Sequence, residues 1–186
     1  MPAALAVFFR RHPVLVQCLL WALPALAVGA VLRIALLSYL PLAYWGSDSG
    51  SYYGFAFDLF EKGKISVYDK RRYLYLFFVA IPDALPGSTL RWLAWFQHGM
   101  GLATLLPLAY CIRKTFSASK AWIVPVTVAY AGFPFVLWYE HELLAETLFF
   151  ASVIWMIAGW CAWVGQPDPV RARRLWWWFF AGLAAF

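Results

Sequence analysis

Uninterrupted apolar runs constrain this chain more than any motif in it. The first, Val14 to Leu40, holds 27 residues with Arg33 as its single charge. As a helix it extends ~40 Å, more than the ~30 Å hydrocarbon core of a bilayer. Arg10, Arg11 and Ala27-Val28-Gly29 have the outline of a signal peptide. The apolar run continues well past that point, so the sequence predicts a retained anchor. Pro24 is a candidate kink, and Arg33 is expected to snorkel to the headgroups, with a lipid phosphate as its alternative partner.

Further spans are expected at Leu90–Ile112, Ala121–Tyr139 and Leu143–Val164. Leu175–Phe186 is apolar for only 12 residues, about half a span, and reads as an incomplete fifth helix. Composition supports this division. Hydrophobic residues are 64% of the 186, charged residues 13%, and there are 12 Trp. A soluble domain of this length could not hide so much apolar surface. The expected fold is therefore an all-α, polytopic transmembrane bundle forming a single domain over 1–186. The net charge of +6 sits in short loops between spans rather than on one basic face, which excludes nucleic acid as a partner. Cys18, Cys111 and Cys161 each lie inside an apolar run and read as small buried hydrophobes, not disulfides or metal ligands.

Charge sets the expected orientation. With the N-terminus cytoplasmic, Arg10, Arg11, Arg113, Lys114, Lys120, Arg171, Arg173 and Arg174 all fall inside, as the positive-inside rule requires. Eight of the nine acidic residues then fall outside, leaving only Asp168 in the cytoplasm.

The outer loop, 41–89, is where chemistry is expected. Asp48 opens an amphipathic helix with Tyr52, Phe55 and Leu59 on one face; Ser47 or Asp48 caps it and Gly63 closes it. That helix is expected to lie flat on the outer membrane surface. Asp48 is either a solvent-facing cap or a site carboxylate. Lys70-Arg71-Arg72 either anchors to headgroups or clamps the phosphate of a lipid-linked substrate. Tyr73–Leu85 is too short to span and reads as interfacial or re-entrant. Glu146 lies one turn inside the last complete span, where a carboxylate is costly unless it meets a polar cavity or partner. Glu142 shares its helix face. Glu140 and Glu142 read as interfacial carboxylates reaching water. A single histidine, His141, among glutamates does not assign a metal site. Gln97 and His98 either line the same cavity or bond neighbouring helices.

At these residues the chain resembles the glycosyltransferase C superfamily, polytopic enzymes that use polyprenyl-phosphate-linked sugars and include protein O-mannosyltransferases and aminoarabinose transferases. The resemblance rests on Asp48 followed by Tyr52 or Tyr53 and the run through Gly63, on Arg91 through Arg113-Lys114, and on Tyr139 with Leu143-Leu144-Ala145-Glu146-Thr147-Leu148-Phe149. Ala181-Gly182-Leu183-Ala184-Ala185 is similar to the family's next helix. The prolines that often enter the family's second surface helix are missing at Arg71-Arg72-Tyr73; family members run to several hundred residues with many more spans, so the chain is similar to the N-terminal part of one. The resemblance implies an inverting sugar transfer on the outer face; the abundance of Ala, Leu, Arg and Trp points instead to a bacterial inner membrane as the location. Asp48 and Glu146 would be the catalytic residues, and Tyr52, Tyr53, Lys70, Arg71, Arg72, His141 and Glu142 would bind substrate. The partners would be a polyprenyl-phosphate-sugar donor, a lipid, glycan or protein acceptor, and membrane lipids. No cofactor is assigned; a divalent metal at Glu146 stays open. A transporter or lipid flippase, with Glu146, Gln97 and His98 lining a pathway, is the alternative class, and a non-catalytic lipid-binding subunit is a third.

Overall fold

The structure is a computed structural model that describes residues 13–46, 48–64, 73–117, 119–143, 145–164 and 170. Lys70, Arg71, Arg72 and the expected helix at 175–186 lie outside the described residues. The described chain is helical throughout: α1 Pro13–Tyr39, α2 Ser49–Lys62, α3 Tyr73–Asp83, α4 Thr89–Phe116, α5 Lys120–Gly132, α6 Pro134–His141 and α7 Glu146–Val164.

Two of these, α1 and α7, are long and apolar enough to cross a membrane, as a membrane protein requires. The α5–α6 pair is long and apolar enough only when the two helices are taken together, and it is bent by 46° at its break. Phe133 adopts extended backbone there and Pro134 starts α6, where its missing N–H costs nothing. The expected continuous helix at 121–139 is thus broken at Phe133. At 28 residues α4 is the longest described helix, but it is less apolar than the two candidate spans. Gln97 and His98 interrupt its apolar character, and both are buried against protein.

On α1 the buried residues are Cys18, Ala22, Ala25, Gly29, Arg33 and Leu37, three or four apart and so on one face. Large residues such as Leu20, Leu23, Val31 and Ile34 point outward. Small residues inside and large ones outside let helix backbones approach closely, a pattern suited to lipid surroundings. Ala25 packs with Leu105 of α4 and Ala131 of α5. Pro24 lies within a continuous helix. All three cysteines are free thiols.

The ends of the bundle differ. At one end Arg113 of α4 lies over the Trp21 ring, 6.0 Å away, and Lys114 and Lys120 are close by in sequence. At the other end sit α2, α3, the end of α6 and the start of α7 with their connection, which together carry every described acidic residue but Asp48, itself next to α2. Gly63 closes α2 in the left-handed region at φ 62°, as expected. The apolar stripe of α2 meets a different partner from the expected bilayer. Tyr52 and Phe55 are buried with Tyr75, Leu76 and Val79 of α3, Leu93 of α4 and Leu143. Protein covers this face, so α2 and α3 form a cap on α4.

Candidate functional site

The Asp48 segment is fixed by backbone bonds to residues almost a hundred positions later. Tyr44 N–H donates to the His141 carbonyl at 2.7 Å, and Leu143 N–H donates to the Tyr44 carbonyl at 3.0 Å. Tyr44 and Glu142 thereby form an isolated parallel bridge. The Ser49 hydroxyl donates to the Leu143 carbonyl at 3.2 Å and accepts from Gly46 N–H at 2.8 Å. This bridge explains why α7 starts at Glu146 rather than at Leu143: residues 142–143 are used in extended pairing. A Cβ at Gly46 would overlap the Glu142 carboxylate, which would have to turn aside.

Asp48 occupies the N-cap position of α2 without a cap bond from its side chain, and it is exposed. Its carbonyl accepts from the Ser51 hydroxyl at 2.7 Å. Glu142 accepts from the Trp138 indole at 2.9 Å. Glu146 is partly buried, and its Oε2 is shut off from solvent with no hydrogen-bond donor. A carboxylate oxygen held in that way is costly and marks a functional candidate. Tyr75 ties this rim together. Burial pushes its phenol well above the ordinary value, and Tyr52, Glu146 and Glu142 push in the same direction, so Tyr75 is a permanent donor. It donates to Gln97 Oε1 at 2.9 Å. Tyr52 meets Tyr75 edge-on with ring centroids 4.8 Å apart, and Tyr53 meets Trp45 at 5.5 Å. Tyr52 is therefore part of the core, whereas Tyr53 is half-buried at the edge.

Beneath the rim lies a charge cluster. Arg33 is 1% exposed, so it does not snorkel. Its Nε and Nη2 donate to Glu140 Oε2 and Oε1 at 2.7 and 2.6 Å. Its Nη1 donates to the Gly29 and Ala131 carbonyls at 3.1 and 3.0 Å. Glu140 is 2% exposed and is the partner of Arg33 rather than an interfacial acid. A guanidinium this deep survives only with such a bidentate anion. Gly101 makes room, since a Cβ there would sit in the Glu140 carboxylate.

His98 Nδ1 lies 2.9 Å from Glu140 Oε2, and its Nε2 lies 3.1 Å from His141 Nδ1. Gln97 Nε2 donates toward the Glu142, Glu140 and Tyr139 carbonyls at 2.7, 3.0 and 3.4 Å, satisfying acceptors left at the end of α6. Gln97 and His98 thus bond neighbouring helices. A cavity beside Glu140 is bordered by Gly101, Thr104, Tyr130, Tyr139 and Thr147; neither Asp48 nor Glu146 borders it. No group of three or more His, Cys, Asp or Glu side chains among the described residues is arranged to hold a metal ion.

Of the sequence-predicted residues, the structure gathers Asp48, Tyr52, Tyr53, His141, Glu142 and Glu146 at one end of the bundle. Arg33 and Glu140 are the members that sequence reasoning misplaced. Their signal was the spacing of Arg33, four residues after Gly29 on the small-residue face of α1. Comparison with family models, with curated proteins and with solved structures found no match.

Proposed function

We propose that this protein is a membrane glycosyltransferase that moves a sugar from a polyprenyl-phosphate donor to an acceptor hydroxyl on the extracytoplasmic face. The observation that carries this reading is the backbone union of the Asp48 loop with the Glu142–Glu146 segment at the acid-rich end of the bundle. In this reading the chain is a polytopic bundle of a bacterial inner membrane. Its N-terminus is cytoplasmic, and α2 and α3 are juxtamembrane helices.

The acceptor oxygen attacks the anomeric carbon on the face opposite the phosphate. The new C–O bond forms as the sugar–phosphate bond breaks, and the polyprenyl phosphate departs as an anion. Asp48, exposed at the start of α2, takes the hydroxyl proton. The leaving group is already stable as an anion, so the protein mainly positions the reactants and balances charge. Lys70, Arg71 and Arg72 carry that charge toward the donor phosphate. Tyr53 flanks the acceptor side, and Tyr52 and the buried His141 hold that side from the core. Glu142 and Glu146 form the acidic wall that orients the acceptor.

The test is Asp48→Asn in the complete protein, assayed with radiolabelled polyprenyl-phosphate sugar. Transfer is expected to fall by at least ~10²-fold, the size of a general-base contribution, with unchanged expression and membrane insertion. Undiminished transfer removes the base assignment. The buried Arg33–Glu140–His98–His141 chain favours a second reading, a transporter or flippase, because ionisable groups at membrane depth mark pathways. Lipid translocation by vesicles containing the protein, with no sugar transfer, would select it.

A further inference from the structure

The upper part of α4 turns two different faces outward and inward. Gln97 and His98 are buried, whereas Arg91, Trp92, Trp95, Phe96, Gly99 and Ala103 are exposed and share the opposite side of the helix. On that side large side chains stop after Phe96. A Cβ built at Gly99 would meet nothing within 4 Å. Ala103, one turn on, carries only a methyl group. Leu106 then packs against the cluster of Cys18 and Ala109. The result is a shallow hollow on the surface of α4, headed by two indoles and a phenyl ring.

This face looks out between apolar neighbours. Cys18 of α1 donates to the Ala109 carbonyl, and Cys111 donates to the Ile154 carbonyl of α7. α4 therefore runs through the same layer as α1 and α7, and an exposed face there meets lipid. The hollow has a polar head. Arg91 lies in the first turn of α4, is exposed, and takes no part in the ion pairs among the described residues. The Trp92 indole beside it donates to the Pro86 carbonyl at 2.9 Å. Asp83, the carboxylate nearest in sequence, accepts from the Thr89 hydroxyl at 2.7 Å.

From Arg91 to Ala103 the helix rises ~18 Å, against ~15 Å of hydrocarbon in one leaflet. A cation, then indoles, then small residues follow the order of a phosphate, a glycerol backbone and an acyl chain in that leaflet. We propose that this face of α4 binds one membrane phospholipid, its phosphate on the Arg91 guanidinium and an acyl chain over Gly99 and Ala103. A guanidinium engages two phosphate oxygens at once. One arginine balances the single negative charge of a phosphodiester, which selects a phospholipid over a lipid carrying a phosphate monoester. Such binding does not depend on glycosyl transfer, and either can fail alone.

The experiment is native mass spectrometry of the complete protein released from detergent micelles. The probes are dioleoyl phosphatidylglycerol, glycerol 3-phosphate as the head alone, and dioleoylglycerol as the tail alone. One phosphatidylglycerol is expected to stay bound under conditions where neither partial probe does. Gly99→Leu fills the hollow and is expected to weaken retention at least ~10-fold. Arg91→Gln removes the phosphate partner and is expected to act to a similar extent. Gly159→Leu on α7, where the Cβ position is also open, should retain the lipid as the unsubstituted protein does. Undiminished retention by Gly99→Leu overturns the proposal. Equal binding of either partial probe, or tighter binding of a polyprenyl phosphate, overturns it too. A loss of stability in Gly99→Leu in lipid-free detergent would show that protein covers the hollow, with the same consequence.

Discussion

Arg33→Met is expected to destabilise the protein by about 3–5 kcal/mol, the usual effect of leaving a buried charge without its partner. The arginine donates four hydrogen bonds, two to Glu140 and one each to the Gly29 and Ala131 carbonyls. Its loss strands an ionised carboxylate between α1, α4 and α6. Adding Glu140→Leu should restore most of the stability, because an apolar pair tolerates such burial as well as an ion pair does. A residue of about 1–3 kcal/mol remains for the unpaired His98 Nδ1–H. Denaturant unfolding in detergent, followed by tryptophan fluorescence, measures both variants. Equal stability of Arg33→Met and the unsubstituted protein would mean that Arg33 reaches the headgroups after all.

Gly101→Ala is expected to act with the opposite sign from an ordinary helix substitution. Alanine in place of an open helical glycine gains roughly 0.5–1 kcal/mol. At Gly101 the new methyl would occupy the Glu140 carboxylate, so a loss of about 1–3 kcal/mol is expected instead. Gly99, two residues earlier and with open space at its Cβ position, supplies the control: alanine there should be neutral or stabilising. The same unfolding measurement compares them. Matching gains at both positions would show that Glu140 does not lie against α4.

Much of the architecture was readable from apolar run length. The run Val14–Leu40 became α1 at Pro13–Tyr39, and the Asp48–Gly63 stretch became α2 with its left-handed glycine closure. Run length failed where backbone bonds are made with distant residues. Leu143 belongs by hydropathy to the last helix, yet its N–H is claimed by Tyr44, so α7 waits until Glu146. The stripe on α2 was legible as apolar but not as protein-covered, because α3 is separated from it by residues that carry no helical signal. At the site, Asp48 and Glu142–Glu146 stood out because carboxylates are rare in such a chain. The cluster below them was harder to find. Arg33, Gln97, His98 and Glu140 come from three helices, and a sequence shows only that each is costly alone. The missed clue was geometric: an arginine that continues the series Cys18, Ala22, Ala25, Gly29 points inward and demands an anion.

Every role assigned to Asp48 depends on its loop being held against the connection between α6 and α7. Cysteines replacing Tyr44 and Glu142, with Cys18, Cys111 and Cys161 changed to serine, test this contact in membranes, since bridged residues in neighbouring strands are within disulfide reach. Rapid cross-linking under mild oxidation is the predicted result, with none for Tyr44→Cys paired with Trp155→Cys in mid-α7. A 44–142 pair that cross-links no faster than that control would contradict the arrangement.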